Sequence, residues 1–139
     1  MPLSKATQII DQMMAKDGFT AWLGAVRLEE GEGFCKLQMT IRKEMCNGFG
    51  IAHGGISYSL ADSALAFASN SHGQHAVSIE TSISYLKPLA EGDTIIATAK
   101  KISLGKSIAV YEVWIEKPNS ELVALFKGTV YRKPKEWDL

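Results

Sequence analysis

The chain reads as an α+β domain in which an antiparallel sheet curls round one central helix. Three observations predict this. The first is the stretch 47–70, NGFGIAHGGISYSLADSALAFASN, in which Asp62 is the only Asp, Glu, Lys or Arg between Glu44 and Glu80. From Ile56 to Ser69 it holds no Gly or Pro, and its Ala and Leu residues are good helix formers. Small and apolar residues lie on every side, the pattern of a buried helix. The second is a set of four strand-like runs after that helix, separated by breakers. The third is a pair of strand-like runs before it. A helix buried on most of its surface needs a sheet that wraps it.

In chain order, Leu3 to Lys16 places Ile9, Ile10, Met13 and Met14 near helical spacing, with Ser4 as a cap and Gly18 as a stop. Phe19 to Glu29, FTAWLGAVRLE, suggests a strand, and Gly31 and Gly33 mark a turn. Phe34 to Ile41 alternates, with Cys35, Leu37, Met39 and Ile41 on one face, so the two runs form a hairpin. Arg42 to Gly50 is a loop with the turn signal Asn47-Gly48. The central helix follows, then a loop from Ser71 to Gln74. The four later runs are Ala76 to Leu86, Asp93 to Leu104, Ser107 to Glu116 and Leu122 to Tyr131. Val, Ile, Thr and Tyr dominate them, and their short links favour antiparallel meander pairing. The tail KPKEWDL is expected to fray or to pack at an edge.

A length of 139 residues suits a single domain spanning 1–139, and 46% hydrophobic with 22% charged residues is ordinary for a packed core. Net charge is zero, so no bulk field draws in nucleic acid or an anionic membrane. No run approaches the length of a membrane span. The opening MPLSKATQIIDQMMAK lacks a signal-type apolar core, which gives the expectation of a cytoplasmic protein. Cys35 and Cys46 fit no metal or redox spacing, and reduced thiols are expected. His72 and His75 have no Cys or carboxylate completing a recognisable metal set. There is no G-x-S-x-G elbow, no Walker pattern and no dinucleotide glycine pattern, so neither metal nor cofactor is expected.

What remains is the central stretch. A lone carboxylate in an apolar helix is costly unless it is paired or used. Asp62 either faces water at a break, is satisfied by Tyr58 or Ser59 one turn back, or works. His53-Gly54-Gly55 lies where the helix must start. Gly54 and Gly55 are either an ordinary glycine turn or leave N–H groups uncovered at the positive end of a helix dipole, which suits an anion or a developing oxyanion. Asp62 is eight residues after Gly54, about 12 Å along a helix. A reacting atom must lie roughly 3 Å from both donor and base. If the two act together, the site is shared between subunits, which predicts an obligate dimer; an edge strand of the curled sheet offers the pairing surface. Asn47 is a plain turn residue or fixes the loop carrying His53. Ser78 is a solvated strand hydroxyl or a hydrogen-bond partner of Asp62 or of an attacking water. Gly105-Lys106-Ser107 is a solvated turn or presents N–H groups and an ammonium to phosphate.

The pattern N-x5-H-G-G with an Asp nine residues after the His resembles the hotdog-fold acyl-CoA thioesterases, nearest the PaaI-like branch typified by the phenylacetate-degradation thioesterase. GIAHGGISYSLADSALAFA looks like that family's central helix with the loop before it, and VSIETSISYLKPLAEGD like the strand and turn that follow. The resemblance covers most of the chain. It implies that Gly54 donates its N–H to the thioester oxygen and that Asp62 of the opposing subunit is nucleophile or general base. It further implies that Asn47 and His53 organise the loop around the oxyanion hole and that Ser78 helps place water. Gly55, Lys87, Gly105, Lys106 and Ser107 are the implied substrate and CoA contacts, Lys87 standing where Arg is common and so making a less rigid phosphate contact. The substrate implied is an acyl-CoA, aryl-acetyl or medium-chain, and the assembly a dimer or a tetramer of paired dimers. Met45, Phe49 and Ile51 are candidate walls of the acyl pocket. A related hydratase pattern needs a His at position 67, which is Phe, and a related branch has Glu where this chain has Asp62. The alternative on the same fold is a non-catalytic acyl-CoA-binding module.

Overall fold

A computed structural model describes residues 2–139. Helix α1 (Lys5–Ala15) is capped by Ser4, whose side chain accepts from the Thr7 N–H. It buries Ala6, Ile9 and Ile10. The next segment departs from the expected strand. Gly18–Leu23 is a second helix, α2, and only Val26–Gly31 is strand, β1. Local chemistry explains this. Asp17 accepts from the Thr20 N–H at 2.9 Å and from the Thr20 hydroxyl at 2.6 Å, and Gly24 closes the helix at φ 73°. Gly18 therefore opens α2 rather than ending α1. The cap, Asp17 followed three residues later by Thr20 and then by Gly24, was a readable signal.

β1 forms a hairpin with β2 (Phe34–Thr40) as expected. Cys35, Leu37, Met39 and Ile41 are all buried, on the predicted face. A 3-10 turn at Lys43–Met45 leads to the loop before α3 (Gly54–Asn70). The remaining strands are β3 (Gln74–Tyr85), β4 (Thr94–Leu104), β5 (Ile108–Glu116) and β6 (Leu122–Glu136). They join β1 and β2 in one antiparallel sheet of order β1-β2-β4-β5-β6-β3.

The meander expectation holds for β4, β5 and β6 and fails for β3, which pairs with β6 at the far edge. β2 and β5 occupy both edges of β4, so β3 takes the free edge of β6, and α3 packs across β2, β3, β4, β5 and β6 between them. Period-two burial on the inner face supplies Ile95, Ala97 and Ala99 from β4, and Ala109, Tyr111, Val113 and Ile115 from β5. These meet Leu60, Ala64, Leu65, Phe67 and Ala68 of the helix. Fully burying each large apolar side chain contributes about 1.5–3 kcal/mol. One stripe of α3, through Ser59, Asp62, Ser63 and Ala66, stays only half-buried, so the helix is not enclosed on every side within one chain.

The tail is ordered. Residues to Glu136 extend β6, the Trp137 indole donates to Asn70 Oδ1 at 3.0 Å, and its ring stacks on His75 with centroids 4.1 Å apart.

Candidate active site

The loop before α3 is built by Asn47 and His53. The Asn47 N–H donates to Ile51 O at 2.8 Å, and its side-chain Oδ1 accepts from the Phe49 N–H at 2.9 Å. The His53 N–H donates to Met45 O at 2.8 Å, tying the loop back to the 3-10 turn. His53 is the N-cap of α3: its Nδ1 accepts from the Gly55 N–H at 2.9 Å, and its carbonyl from the Ile56 N–H at 2.9 Å. Two of the first donors of the helix are thus consumed. The expectation that both glycines leave open N–H groups is corrected for Gly55, whose N–H is held by the imidazole. Among the described residues the Gly54 N–H has no acceptor. It stands at the positive end of a buried helix, beside a cleft of about 320 Å³ lined by Asn47, Ile51, Ser57, Tyr85 and Lys87 among others.

Asp62 faces a different cavity, of about 250 Å³, with Leu65, Ala66, Ser69, Val77 and Ser78. Neither proposed local partner satisfies it. The Tyr58 hydroxyl bonds Thr81 Oγ1, and the Ser59 hydroxyl donates to Gly55 O at 2.6 Å. Among the described residues Asp62 makes no ion pair or hydrogen bond. Desolvation pushes its carboxyl above the usual carboxylate range. Ser78, on β3, lines the same cavity without a hydrogen bond to it. One chain therefore brings together Asp62 with Ser78, and Asn47 with His53, Gly54 and Lys87, but it does not bring the two groups together.

Lys87 is half-exposed and donates to Glu121 at 2.6 Å. That contact holds the Glu121 carboxyl below its usual range. At the β4–β5 turn the Gly105 N–H is used by Ile108 O at 2.9 Å, so it is not presented to an anion; a Cβ there would lie 2.6 Å from that oxygen. The Ser107 and Gly105 carbonyls accept from Arg132. Lys106 is exposed and has no ion pair among the described residues. Cross-strand pairing of Ala109 with Val130, and of Val130 with Ser78, puts this turn at the Asp62 end of the molecule. Of the candidate pocket walls, Ile51 lines the Gly54 cleft, Met45 is in the core, and Phe49 is 91% exposed. His72 bonds the Tyr111 hydroxyl at 2.9 Å and His75 stacks on Trp137, so the two imidazoles are engaged separately.

Sequence reasoning missed Tyr85. Its hydroxyl donates to Gly54 O at 2.8 Å. A lone Tyr near the end of a strand carries no signal of this in sequence.

A long helix wrapped by a six-stranded antiparallel sheet, with a glycine N-terminus at one end and a carboxylate in mid-helix, is the hotdog fold of thioester hydrolases. Residues 49–124 match the thioesterase superfamily, and the chain belongs to that family. It is 39% identical over 128 residues to the acyl-coenzyme A thioesterase PaaI of Escherichia coli K12, covering 92% of this chain and 91% of that one. The structure of the E. coli PaaI protein from the phenylacetic acid degradation operon superposes with a TM-score of 0.92 over 95% of this chain and 96% of that one. Human acyl-coenzyme A thioesterase 13 is 29% identical over 128 residues, 88% of this chain and 90% of that protein. The Streptococcus mutans protein smu.793, solved bound to acetyl CoA, matches with a TM-score of 0.78 at 26% identity, over 81% of this chain and 91% of that one.

Proposed function

We propose that the protein is a cytoplasmic acyl-CoA thioesterase that works as a homodimer, each site built from Gly54 of one subunit and Asp62 of the other. The observation that carries this is the division of labour at α3: a free N–H at its start and an unpaired, desolvated carboxylate two turns on, facing separate cavities. A two-fold axis through the middle of the helix would unite them. Gly54 and Asp62 are equidistant in sequence from Tyr58. Ser78 and Tyr85 are equidistant from the step between Thr81 and Ser82. The Tyr58–Thr81 hydroxyl contact stacks those two midpoints. Antiparallel pairing of β3 with its copy in that register would set one subunit's Asp62 end against the other's Gly54 end. Lys87 of one subunit and the turn at Lys106 of the other then flank one site and meet the CoA phosphates. The β3 edge is free for such pairing, with Val77 and Ile79 exposed on it.

In the reaction the thioester carbonyl oxygen lies on the Gly54 N–H. Asp62 takes a proton from a water placed near Ser78, and that water's oxygen bonds to the carbonyl carbon. The oxyanion collects at the helix N-terminus, the C–S bond breaks, and the CoA thiolate recovers the proton from Asp62. Attack by the carboxylate itself breaks the C–S bond, releases the CoA thiolate and gives a mixed anhydride; water then opens the anhydride and one of its protons goes to the thiolate. A single turnover in heavy-oxygen water detects the second route: label in the Asp62 carboxyl marks it as a nucleophile whose anhydride opens at the aspartyl carbonyl, whereas label in the free acid is what direct water attack gives.

For the acyl group, the likeness to PaaI favours aryl-acetyl thioesters, and the apolar cleft also suits medium-chain fatty acyl groups. The test is thiol release from phenylacetyl-, hydroxyphenylacetyl-, benzoyl- and straight-chain acyl-CoA, for the wild type and Asp62→Asn. Turnover that collapses in Asp62→Asn with the oligomer intact supports the reading and ranks the substrates. Stoichiometric binding without turnover replaces it with the acyl-CoA-binding module.

A further inference from the structure

We propose that Tyr85 is a positioning residue that aims the Gly54 N–H by clamping the Gly54–Gly55 peptide from the side opposite His53. This rests on the oxyanion role proposed above for Gly54. The peptide joining the two glycines is held at both polar ends. Its carbonyl accepts from the Tyr85 hydroxyl at 2.8 Å, and its N–H donates to His53 Nδ1 at 2.9 Å. Glycine is the most permissive residue for backbone rotation, so a Gly-Gly pair at a helix start has the weakest intrinsic hold on its peptide planes. Two side-chain bonds on one plane supply the missing constraint, and the neighbouring Gly54 N–H is left as the donor facing the cleft.

The identity of residue 54 fits this arrangement. A Cβ on Gly54 would stand 3.0 Å from the Tyr85 hydroxyl oxygen and 3.2 Å from Cζ. The phenol thus occupies the space that the absent side chain leaves. Tyr85 is the last residue of β3 and pairs with Ala124, so the sheet fixes its position while the helix start depends on it. The phenol lines the Gly54 cleft and is half-exposed there, its acidity weakened by desolvation, so it stays a donor at neutral pH.

Preorganised donors stabilise an oxyanion because they need no reorientation when charge develops. Loss of the clamp therefore appears in kcat and leaves ground-state binding alone. The experiment is steady-state kinetics of Tyr85→Phe, which keeps the ring, with Gly54→Pro as control. Proline is tolerated at the first position of a helix and removes the N–H; its Cβ also meets the Tyr85 phenol at 3.0–3.2 Å, so it is read against Gly54→Ala, which adds the Cβ and keeps the N–H. His53, at φ −59° and ψ 137°, already has the backbone that precedes proline. Tyr85→Phe is expected to lose about 10-fold in kcat with KM little changed, the size of one net hydrogen bond. Unchanged kinetics overturn the proposal. So does a KM increase at full kcat, which would mean that the hydroxyl touches substrate. If Gly54→Pro keeps wild-type turnover, the oxyanion reading itself fails. If Gly54→Pro is inactive and Tyr85→Phe is silent, only the clamp fails.

Discussion

Asp62 concentrates the conflict between stability and function. Burial raises its carboxyl pKa without any compensating partner. The folded state therefore binds this proton more tightly than the unfolded chain does, and Asp62 costs stability as pH rises through its folded value. Asp62→Asn is accordingly expected to be more resistant to urea than the wild type at pH 7, with the difference shrinking as pH falls toward the ordinary carboxylate range. On the proposed mechanism the same variant is expected to lose thiol release. There the ionised form does the work, so the acid limb of kcat/KM is expected at a pH above that of a solvated aspartate. A destabilised Asp62→Asn at neutral pH would mean that the carboxylate has a stabilising partner after all.

Among the elements, α3 and β6 approach closely at Gly128. A Cβ there would fall 2.5 Å from Leu65 Cδ2 and 3.3 Å from Phe126 Cε1, in the middle of the core. Gly128→Ala is expected to cost about 1–3 kcal/mol in urea unfolding, as overpacking does. Pairing it with Leu65→Ala should recover part of that loss, because the clash is with one side chain. β3 is the element with the opposite problem. Nearly all of it beyond Ala76 is exposed or half-exposed, including Ile79 at 58%. An edge strand that long and apolar is a pairing surface. Ile79→Lys leaves the protomer's own core untouched and is expected to give a folded monomer with little thioesterase activity, read by light scattering and by thiol release on one sample.

For the whole molecule, the consequence of a shared site is complementation. Asp62→Asn and Gly54→Pro are each expected to be inactive, Gly54→Pro by about 100- to 1,000-fold, the usual effect of deleting an oxyanion donor. In a mixed dimer, one site receives both substitutions and the other neither. Unfolding and refolding an equal mixture should therefore restore about a quarter of the wild-type rate, since half the dimers are mixed and each has one intact site. Two separately refolded, then combined samples should restore none until subunits exchange. No recovery after co-refolding would place Gly54 and Asp62 in the same subunit's site.

How far the sequence reached depended on the range of the physics involved. The central helix, its start at His53-Gly54-Gly55 and the lone Asp62 were readable because composition and local spacing carry them. So was the inner face of β2, from its strict alternation. The eight-residue interval from Gly54 to Asp62, about 12 Å of helix rise, supported the expectation that the two meet at one atom only across subunits. The error at Gly18–Leu23 was local too: aromatic β-formers outweighed a capping pattern that was present. Other features depend on contacts that no interval in sequence encodes. β3 pairs with β6 because both edges of β4 are taken, by β2 and β5. The Gly55 N–H is lost to an imidazole that has turned back on its own helix, and that of Gly105 to the carbonyl of Ile108. Tyr85 reaches Gly54 from 31 residues away, because a sheet edge and a helix start meet only in the folded chain. The sequence by itself determined the helix, its charge and the family motif, since these are short-range properties. Only the tertiary structure decided which donor at the helix start remains free and what holds it, because that depends on which distant side chains fill the space a glycine leaves.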